Sequence, residues 1–255
     1  MRRASALLGA VLVLLALAAC HSAAKSSDVV ESIRSKSLFF ETFDGDDWQD
    51  RWKHSTAAKY NGRFIRAAGK DWTDTGLKIP EKSKYYGLAA LLDAPVPIVS
   101  SEPDSDSDLP LIIQYEVKYE QGVSCGGAYL KLLSAEQGMT AEGLVDNTPY
   151  SIMFGPDKCG GPGKVHLIFR YRSPVNGSIE EKHLVSPPAP ETDDYTHLYT
   201  LKLFPNHEYE ISVDGIAKSS GRLLDEGKLA PPLTPPREVL DPEDKKPADW
   251  VDVSV

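Results

Sequence analysis

The sequence is short of cysteine and of basic residues. It has three cysteines in 255 residues, and Cys20 ends an N-terminal apolar stretch, so the rest of the chain can form at most one intrachain disulfide. The other two, Cys125 and Cys159, are either paired or are two buried free thiols. The formal net charge of −9 argues against a nucleic-acid partner, which would require clustered lysine and arginine.

Catalytic motifs are also scarce. The sequence lacks the HExxH pattern of zinc hydrolases, and its six histidines are scattered. Glycosidases use a pair of carboxylates, but some such pair is always found among 37 acidic residues, so a pair here does not indicate this activity. We therefore predict that the protein is not an enzyme.

The only long apolar run is at the N-terminus. Residues 1–24 carry Arg2 and Arg3 directly after Met1, continue with an apolar stretch and end in small residues, which is the pattern of a cleaved secretory signal peptide. The tetrapeptide LAAC also fits a bacterial lipoprotein signal with Cys20 as the lipidated residue, and this alternative stays open. No other stretch approaches the roughly 18 consecutive apolar residues of a membrane-spanning helix.

The rest of the chain is rich in short segments in which apolar and polar residues alternate, as in a β-strand. The clearest are LIIQYEVKYE (111–120) and KVHLIFRYR (164–172). The segments HLYTLKLF and YEISVDG, joined by a Pro-Asn turn, predict a hairpin. Strands at this spacing, separated by turn-rich loops, predict an all-β antiparallel sandwich or jelly roll.

This pattern divides the chain into four parts. The signal peptide (1–24) is followed by a polar linker (25–37) and then by the sandwich (38–228). From residue 229 onward the sequence is rich in proline, which lacks a backbone donor and prevents a helix or a central strand. The segment 229–255 is therefore predicted to be extended and to lie outside the core.

Side chains suited to sugar binding cluster near the two cysteines. The segment CGGAYLKLL places Tyr129 and Lys131 on one side of a strand, and TPYSIMFGPDKCG supplies Tyr150, Met153 and Asp157. Aromatic and thioether groups cover the apolar face of a pyranose, and charged groups bind its hydroxyls. The alternative is an ordinary strand surface. Tyr150 and Met153 would face opposite sides of an ideal strand, so a bend or a strand end must lie between them.

Two loops carry weaker signals. The segment WTDTGL places Asp74 between two threonines, where a carboxylate and backbone carbonyls would suit a calcium ion, although an ordinary Asp-containing turn has the same sequence. The tripeptide NGS at Asn176 matches a glycosylation sequon, but Asn-Gly is equally a standard hairpin turn.

Three segments, CGGAYLKLL, IMFGPDKCG and DPEDKKPADW, resemble in sequence and in order the signature segments of the calnexin and calreticulin family. The similarity runs from about Phe39 to Trp250, and the segments TPYSIMFGPDKCG and EEKH are more similar to calnexin. The resemblance implies a legume-lectin-like, concanavalin A-like jelly roll. It also implies a chaperone that binds monoglucosylated N-glycans on unfolded glycoproteins in the lumen of the endoplasmic reticulum.

The resemblance assigns roles to individual residues. It implies a disulfide between Cys125 and Cys159, and it matches His166 to a family histidine near the site whose role is not defined. The implied carbohydrate ligands are Tyr129, Lys131, Tyr150, Met153, Asp157 and Glu181. The implied ligands of a structural Ca²⁺ are Asp74 and the main-chain oxygens of Thr42, Thr73 and Thr75.

The resemblance also bears on partners and on the C-terminus. Family members continue beyond the segment KPADW into an arm that recruits a protein disulfide isomerase, then return with a last lectin strand, and those of the calnexin type are anchored in a membrane. This chain ends at Val255, so we expect it to bind sugar weakly or not at all and to bind calcium loosely. The alternative function is glycan-independent binding of unfolded polypeptides.

Overall fold

The structure is a computed structural model, and it describes residues 28–70, 74–96, 109–135, 138–174, 176–234, 243, 245–246 and 250–251. The predicted signal peptide, Thr73 and most of the proline-rich segment lie outside these residues. The chain divides into two compact units, which are described separately: unit 1 comprises residues 1–96 with 136–147, and unit 2 comprises residues 97–135 with 148–255. Among the described residues, no helix is both long and apolar enough to cross a membrane.

The described residues of unit 1 form two short helices and two small antiparallel sheets. Helix α1 covers residues 28–34, within the segment predicted as a linker, and α2 covers Trp48–Arg51. Trp48 is buried, and its ring packs edge to face against Phe43 and His54. The strands are β1 (Trp52–His54), β2 (Ile65–Ala68), β3 (Thr75–Lys78) and β4 (Leu88–Ala90). β1 pairs with β4, and β2 pairs with β3.

In unit 2, the part of the chain that the structure describes forms two larger antiparallel sheets. Its strands are β5 (Leu111–Lys118), β6 (Cys125–Gly127), β7 (Leu130–Leu133), β8 (Tyr150–Cys159), β9 (Lys164–Arg172), β10 (Ile179–Leu184), β11 (Thr196–Leu203), β12 (Glu208–Val213), β13 (Ile216–Arg222) and β14 (Leu229–Ala230). Sheet 1 has the order β14-β10-β9-β8-β6, and β7 also pairs with β8. Sheet 2 has the order β13-β12-β11-β5.

The core of unit 2 lies between sheet 1 and sheet 2. The alternation predicted for β5 and β9 is present, because Ile113, Val165 and Leu167 are buried while the intervening residues of β5 are exposed. They join Phe154 and Leu201, both 0% exposed, in one apolar cluster drawn from both sheets. Burying such a side chain contributes roughly 1.5–3 kcal/mol. The predicted all-β antiparallel sandwich is confirmed.

The predicted hairpin is also present. β11 and β12 pair in register from Tyr199 opposite Val213 to Leu203 opposite Tyr209. In the turn between them, the side-chain oxygen of Asn206 accepts a hydrogen bond from the backbone N–H of Glu208 at 3.0 Å. The turn residues thus close the hairpin as their sequence predicts.

The prediction that the core ends before residue 229 is wrong. β14 pairs with β10, and Leu229 is 3% exposed within the main core cluster. The first proline of the segment is Pro231, so Leu229 and Ala230 still have the backbone N–H groups that an edge strand uses. The sandwich therefore includes two residues that the proline content of the segment had assigned to the arm.

Candidate functional site

The outer face of sheet 1, which points away from the core, carries a second apolar cluster. Lys131 pairs with Met153 across β7 and β8, and Met153 pairs with Ile168 across β8 and β9. Paired residues on neighbouring strands project from the same face. Met153 and Ile168 are 9% and 4% exposed, and they pack with Tyr150 and Leu133 apart from the main core. Lys131 therefore stands beside an apolar floor.

Tyr150 and Met153 share this face because the pairing of β7 and β8 contains a bulge. The register shifts after Leu132, so that Leu133 pairs with Tyr150 and Ser151 is the extra residue. An extra residue reverses the alternation of the side chains that follow it. The bend that the sequence required between Tyr150 and Met153 is this bulge.

Tyr150 connects the floor to a carboxylate on β10. Its hydroxyl donates a hydrogen bond to Oε1 of Glu181 at 2.5 Å, and Oε2 of Glu181 lies 3.2 Å from Nε2 of His183. The ammonium of Lys131 lies 4.7 Å from the centroid of the Tyr150 ring. The structure therefore brings four predicted ligands together: Lys131, Tyr150, Met153 and Glu181.

The electrostatics of this group favour an ionised carboxylate beside a neutral phenol. The hydrogen bond from Tyr150 is the main cause that lowers the pKa of Glu181, and His183 and Lys131 add to this effect. Burial, followed by the hydrogen bond to Glu181, raises the pKa of the Tyr150 hydroxyl well above its usual range. At neutral pH the site therefore offers one fixed anion, one cation and one aromatic ring on an apolar base.

The remaining two predicted ligands lie at the β6 end of sheet 1. Asp157 pairs in register with Gly127 on β6, and its Oδ2 lies 3.2 Å from Nε2 of His166. The ring of Tyr129 lies against the backbone of Gly127, where an added Cβ would meet a ring carbon at 2.4 Å. Tyr129 is 41% exposed. Because Gly127 has no side chain, the exposed ring of Tyr129 can lie against its backbone, and Gly127 is the residue that pairs with Asp157.

A disulfide lies beside these residues. Cys125 and Cys159 are directly paired on β6 and β8, and their sulfurs are bonded. The bond joins the strand that precedes Tyr129 to the strand that carries Asp157. It therefore links the two segments that the sequence identified as ligand-bearing.

The residues expected to hold calcium belong to unit 1, and Thr73 lies outside the described part of the chain. The hydroxyl of Thr75 donates to the carbonyl of Phe43 at 3.1 Å and lies 3.5 Å from Oδ1 of Asp44. The backbone carbonyl of Asp74 accepts a hydrogen bond from the N–H of Gly69, and Asp74 is an exposed residue.

These oxygens are of the kind that calcium prefers, so the donor types at this place fit the ion. Thr42, the remaining predicted ligand, lies directly before Phe43 in the same segment. Within the described ranges, no group of three acidic, histidine or cysteine side chains is arranged to hold a metal. Any site here would therefore rely on backbone and hydroxyl oxygens together with Asp74, and on Asp44, which the sequence did not indicate.

Several residues on the outer face of sheet 1 were not predicted. Ile168 forms part of the floor, and His183 contacts Glu181. The alternation within β9 would have put Ile168 on the same face as His166, and the alternation within β10 would have put His183 on the same face as Glu181. The pairing register that brings these strands beside Met153 has no comparable signal in the sequence.

Comparisons with known proteins agree with this architecture. The family model described as Calreticulin family matches residues 39–255. The chain is 39% identical over 216 residues to Calnexin homolog 2 of Arabidopsis thaliana, covering 84% of this chain and 39% of that protein. It is 41% identical over 231 residues to Calmegin of Mus musculus, covering 84% of this chain and 36% of that protein. The chain thus spans about two fifths of the length of these relatives.

A solved structure shows the same fold. The globular domain of T. cruzi calreticulin superposes with a TM-score of 0.65 at 30% sequence identity, covering 84% of this chain and 74% of that chain. The family consists of lectin-type chaperones and not of enzymes. The match of the family model over residues 39–255, together with these relatives, shows that the chain belongs to the calreticulin family.

Proposed function

We propose that the outer face of sheet 1 binds a glucose-capped N-glycan, and that the protein recognises unfolded glycoproteins as a chaperone in the lumen of the endoplasmic reticulum. The observation that supports this most is the arrangement of Lys131, Tyr150 and Glu181 around the floor made by Met153 and Ile168. Its chemistry matches the two sides of a pyranose, which has an apolar face and a ring of hydroxyls.

The proposed binding mode follows from the contacts. The apolar face of the sugar rests on Met153 and Ile168, because a thioether and an aliphatic side chain lose little by desolvation. Lys131 donates hydrogen bonds to sugar hydroxyls, and Glu181 accepts them. Since Tyr150 already donates to one oxygen of Glu181, the carboxylate is held in a fixed orientation before the ligand arrives. Such preorganisation reduces the entropic cost of binding.

Tyr129 and Asp157 extend the proposed site toward β6. Tyr129 is sufficiently exposed to cover a second sugar ring, and Asp157 is held by His166 at 3.2 Å. The disulfide between Cys125 and Cys159 fixes the two segments that carry these side chains. We infer that these two residues contact either the saccharide unit that follows the terminal glucose or the edge of the glucose itself.

Calcium has a structural role in this proposal. Asp74, Thr42, Thr73 and Thr75 are the proposed ligands, and Asp44 and the carbonyl of Phe43 lie beside Thr75. The ion would tie the loop before α2 to the start of β3 by binding oxygens from both. A protein disulfide isomerase is a proposed partner only of a chain that carries the complete proline-rich arm.

The test compares one glycoprotein client in three forms: monoglucosylated, trimmed with glucosidase, and deglycosylated and unfolded. We expect binding of the monoglucosylated form alone. The Lys131→Ala variant should weaken this binding, while Lys202→Ala, which removes a lysine that pairs with Glu210 on sheet 2, should leave it unchanged. Equal binding of all three client forms would contradict the proposal and favour glycan-independent binding of unfolded polypeptides.

A further inference from the structure

The strand that carries Tyr129 is interrupted at that residue. β6 ends at Gly127 and β7 begins at Leu130, so Ala128 and Tyr129 lie outside the regular pairing with β8. The N–H of Ala128 still donates to the carbonyl of Pro156 at 2.9 Å. Among the described residues, no backbone N–H donates to its carbonyl, so a hydrogen bond to this carbonyl requires a donor from another source.

That donor comes from the opposite sheet. The hydroxyl of Tyr115, on β5 in sheet 2, donates to the carbonyl of Ala128 at 2.6 Å and lies 3.3 Å from the carbonyl of Phe154. The ring of Tyr115 packs edge to face on Phe154 at 6.1 Å and lies 6.2 Å from the ring of Tyr199. Core packing thus fixes the ring of Tyr115, and in this position its hydroxyl reaches the carbonyl of Ala128, between β6 and β7.

Glycine at position 155 provides the space for this contact. A Cβ added to Gly155 would lie 1.7 Å from the hydroxyl oxygen of Tyr115 and 3.1 Å from the Cα of Tyr129. The φ of Gly155 is +130°, a value that other residues rarely adopt. Burial raises the pKa of the Tyr115 hydroxyl well above its usual range, so the phenol remains a donor throughout the physiological pH range.

We propose that Tyr115 is a positioning residue of the glycan site, which holds the Ala128–Tyr129 segment through its hydroxyl and thereby sets the orientation of Tyr129. This inference rests on the proposed function, because it assigns Tyr129 to the bound saccharide. Tyr115 does not touch the sugar, since it lies on the core side of the sandwich. The hydrogen bond from Tyr115 to the carbonyl of Ala128, which the absence of a side chain at Gly155 permits, thus connects the core of unit 2 with the segment that carries Tyr129.

The test uses Tyr115→Phe, which removes the hydroxyl and keeps the ring. The matched control is Tyr209→Phe on β12, another buried tyrosine, whose hydroxyl contacts only the hydroxyl of Ser219 at 3.0 Å among the interactions described. We expect faster amide hydrogen exchange at residues 128–130 in Tyr115→Phe alone. We also expect about three- to tenfold weaker binding of a monoglucosylated tetrasaccharide, the effect of losing one hydrogen bond.

A second comparison separates positioning from a general loss of stability. In a Tyr129→Ala background, Tyr115→Phe should cause no further loss of tetrasaccharide affinity, because its effect passes through Tyr129. Unchanged exchange at 128–130, or the same fold loss with and without Tyr129, would overturn the inference. If the unaltered chain does not bind the tetrasaccharide at all, the proposed lectin function fails, and the exchange result still decides whether Tyr115 holds the segment.

Discussion

Replacing Tyr150 with phenylalanine tests the link between the apolar floor and the carboxylate. The variant removes the donor that lies 2.5 Å from Glu181 and leaves the ring in place. A hydrogen bond to a charged group contributes roughly 1.5–3 kcal/mol when it is desolvated. Because the side chain of Glu181 is 48% exposed, water can replace the phenol. We therefore expect a loss of about 1 kcal/mol in the free energy of unfolding at pH 7.

The pH dependence of this loss follows from the pKa of Glu181. Folding lowers this pKa below its ordinary value of 4.5, so the carboxylate stabilises the fold above that pH and loses this contribution as the pH falls through the lowered value. The difference between the protein and Tyr150→Phe should therefore shrink as the pH falls below about 4.5.

Urea unfolding from pH 7 to about pH 3, which passes through the lowered pKa, and an NMR titration of Glu181 measure both effects. The control, Tyr209→Phe, loses a bond between two neutral hydroxyls, so its destabilisation should not vary over this pH range. A difference for Tyr150→Phe that is the same at every pH, together with an unchanged pKa of Glu181, would refute the reasoning.

Three further predictions concern the disulfide, the calcium site and a histidine. Cys125→Ser should lower the free energy of unfolding in urea by about 3–4 kcal/mol, because the bond closes a loop with a sequence separation of 34 residues; equal stability of both forms would contradict this. Asp74→Asn should abolish any rise in melting temperature caused by added calcium, and an undiminished rise would exclude Asp74 as a ligand. Burial opposes protonation of His197, but hydrogen bonds with Asp214 at 2.7 Å and Asp193 at 2.8 Å raise its pKa. His197→Gln should therefore destabilise the fold more at pH 6 than at pH 9, and the reverse order would contradict this.

The alternation of apolar residues predicted the parts of the fold in which a strand has one buried face. β5, β9 and the hairpin of β11 and β12 follow this rule, because each strand runs without interruption between turn residues. The strand at Leu229 was not predicted, because the prolines that follow it dominate the composition of the segment. A strand of two residues nevertheless needs only its own backbone groups to pair.

The site could be predicted only in part from the residues. The chemistry of Lys131, Tyr150 and Glu181 was evident from residue type and from the family resemblance, but the bulge at Ser151 was not, since an extra residue in a strand has no side-chain signature. Tyr115 packs against the core cluster, on the same face of β5 as Ile113. Its hydroxyl contact with Ala128 depends on how two distant strands meet across the sandwich, which periodicity along one strand cannot report.

The most direct test of the proposed site uses the methionines as reporters. The sequence has three, and two of them, Met139 and Met153, lie in the described chain. In the ¹³C-methyl NMR spectrum, a monoglucosylated mannose oligosaccharide should shift the Met153 methyl signal and leave that of Met139 in place, and the same oligosaccharide without its glucose should shift neither. An unmoved Met153 signal at saturating glucosylated ligand, or equal shifts with and without the glucose, would contradict the assignment of the outer face of sheet 1 as a glucose-specific glycan site.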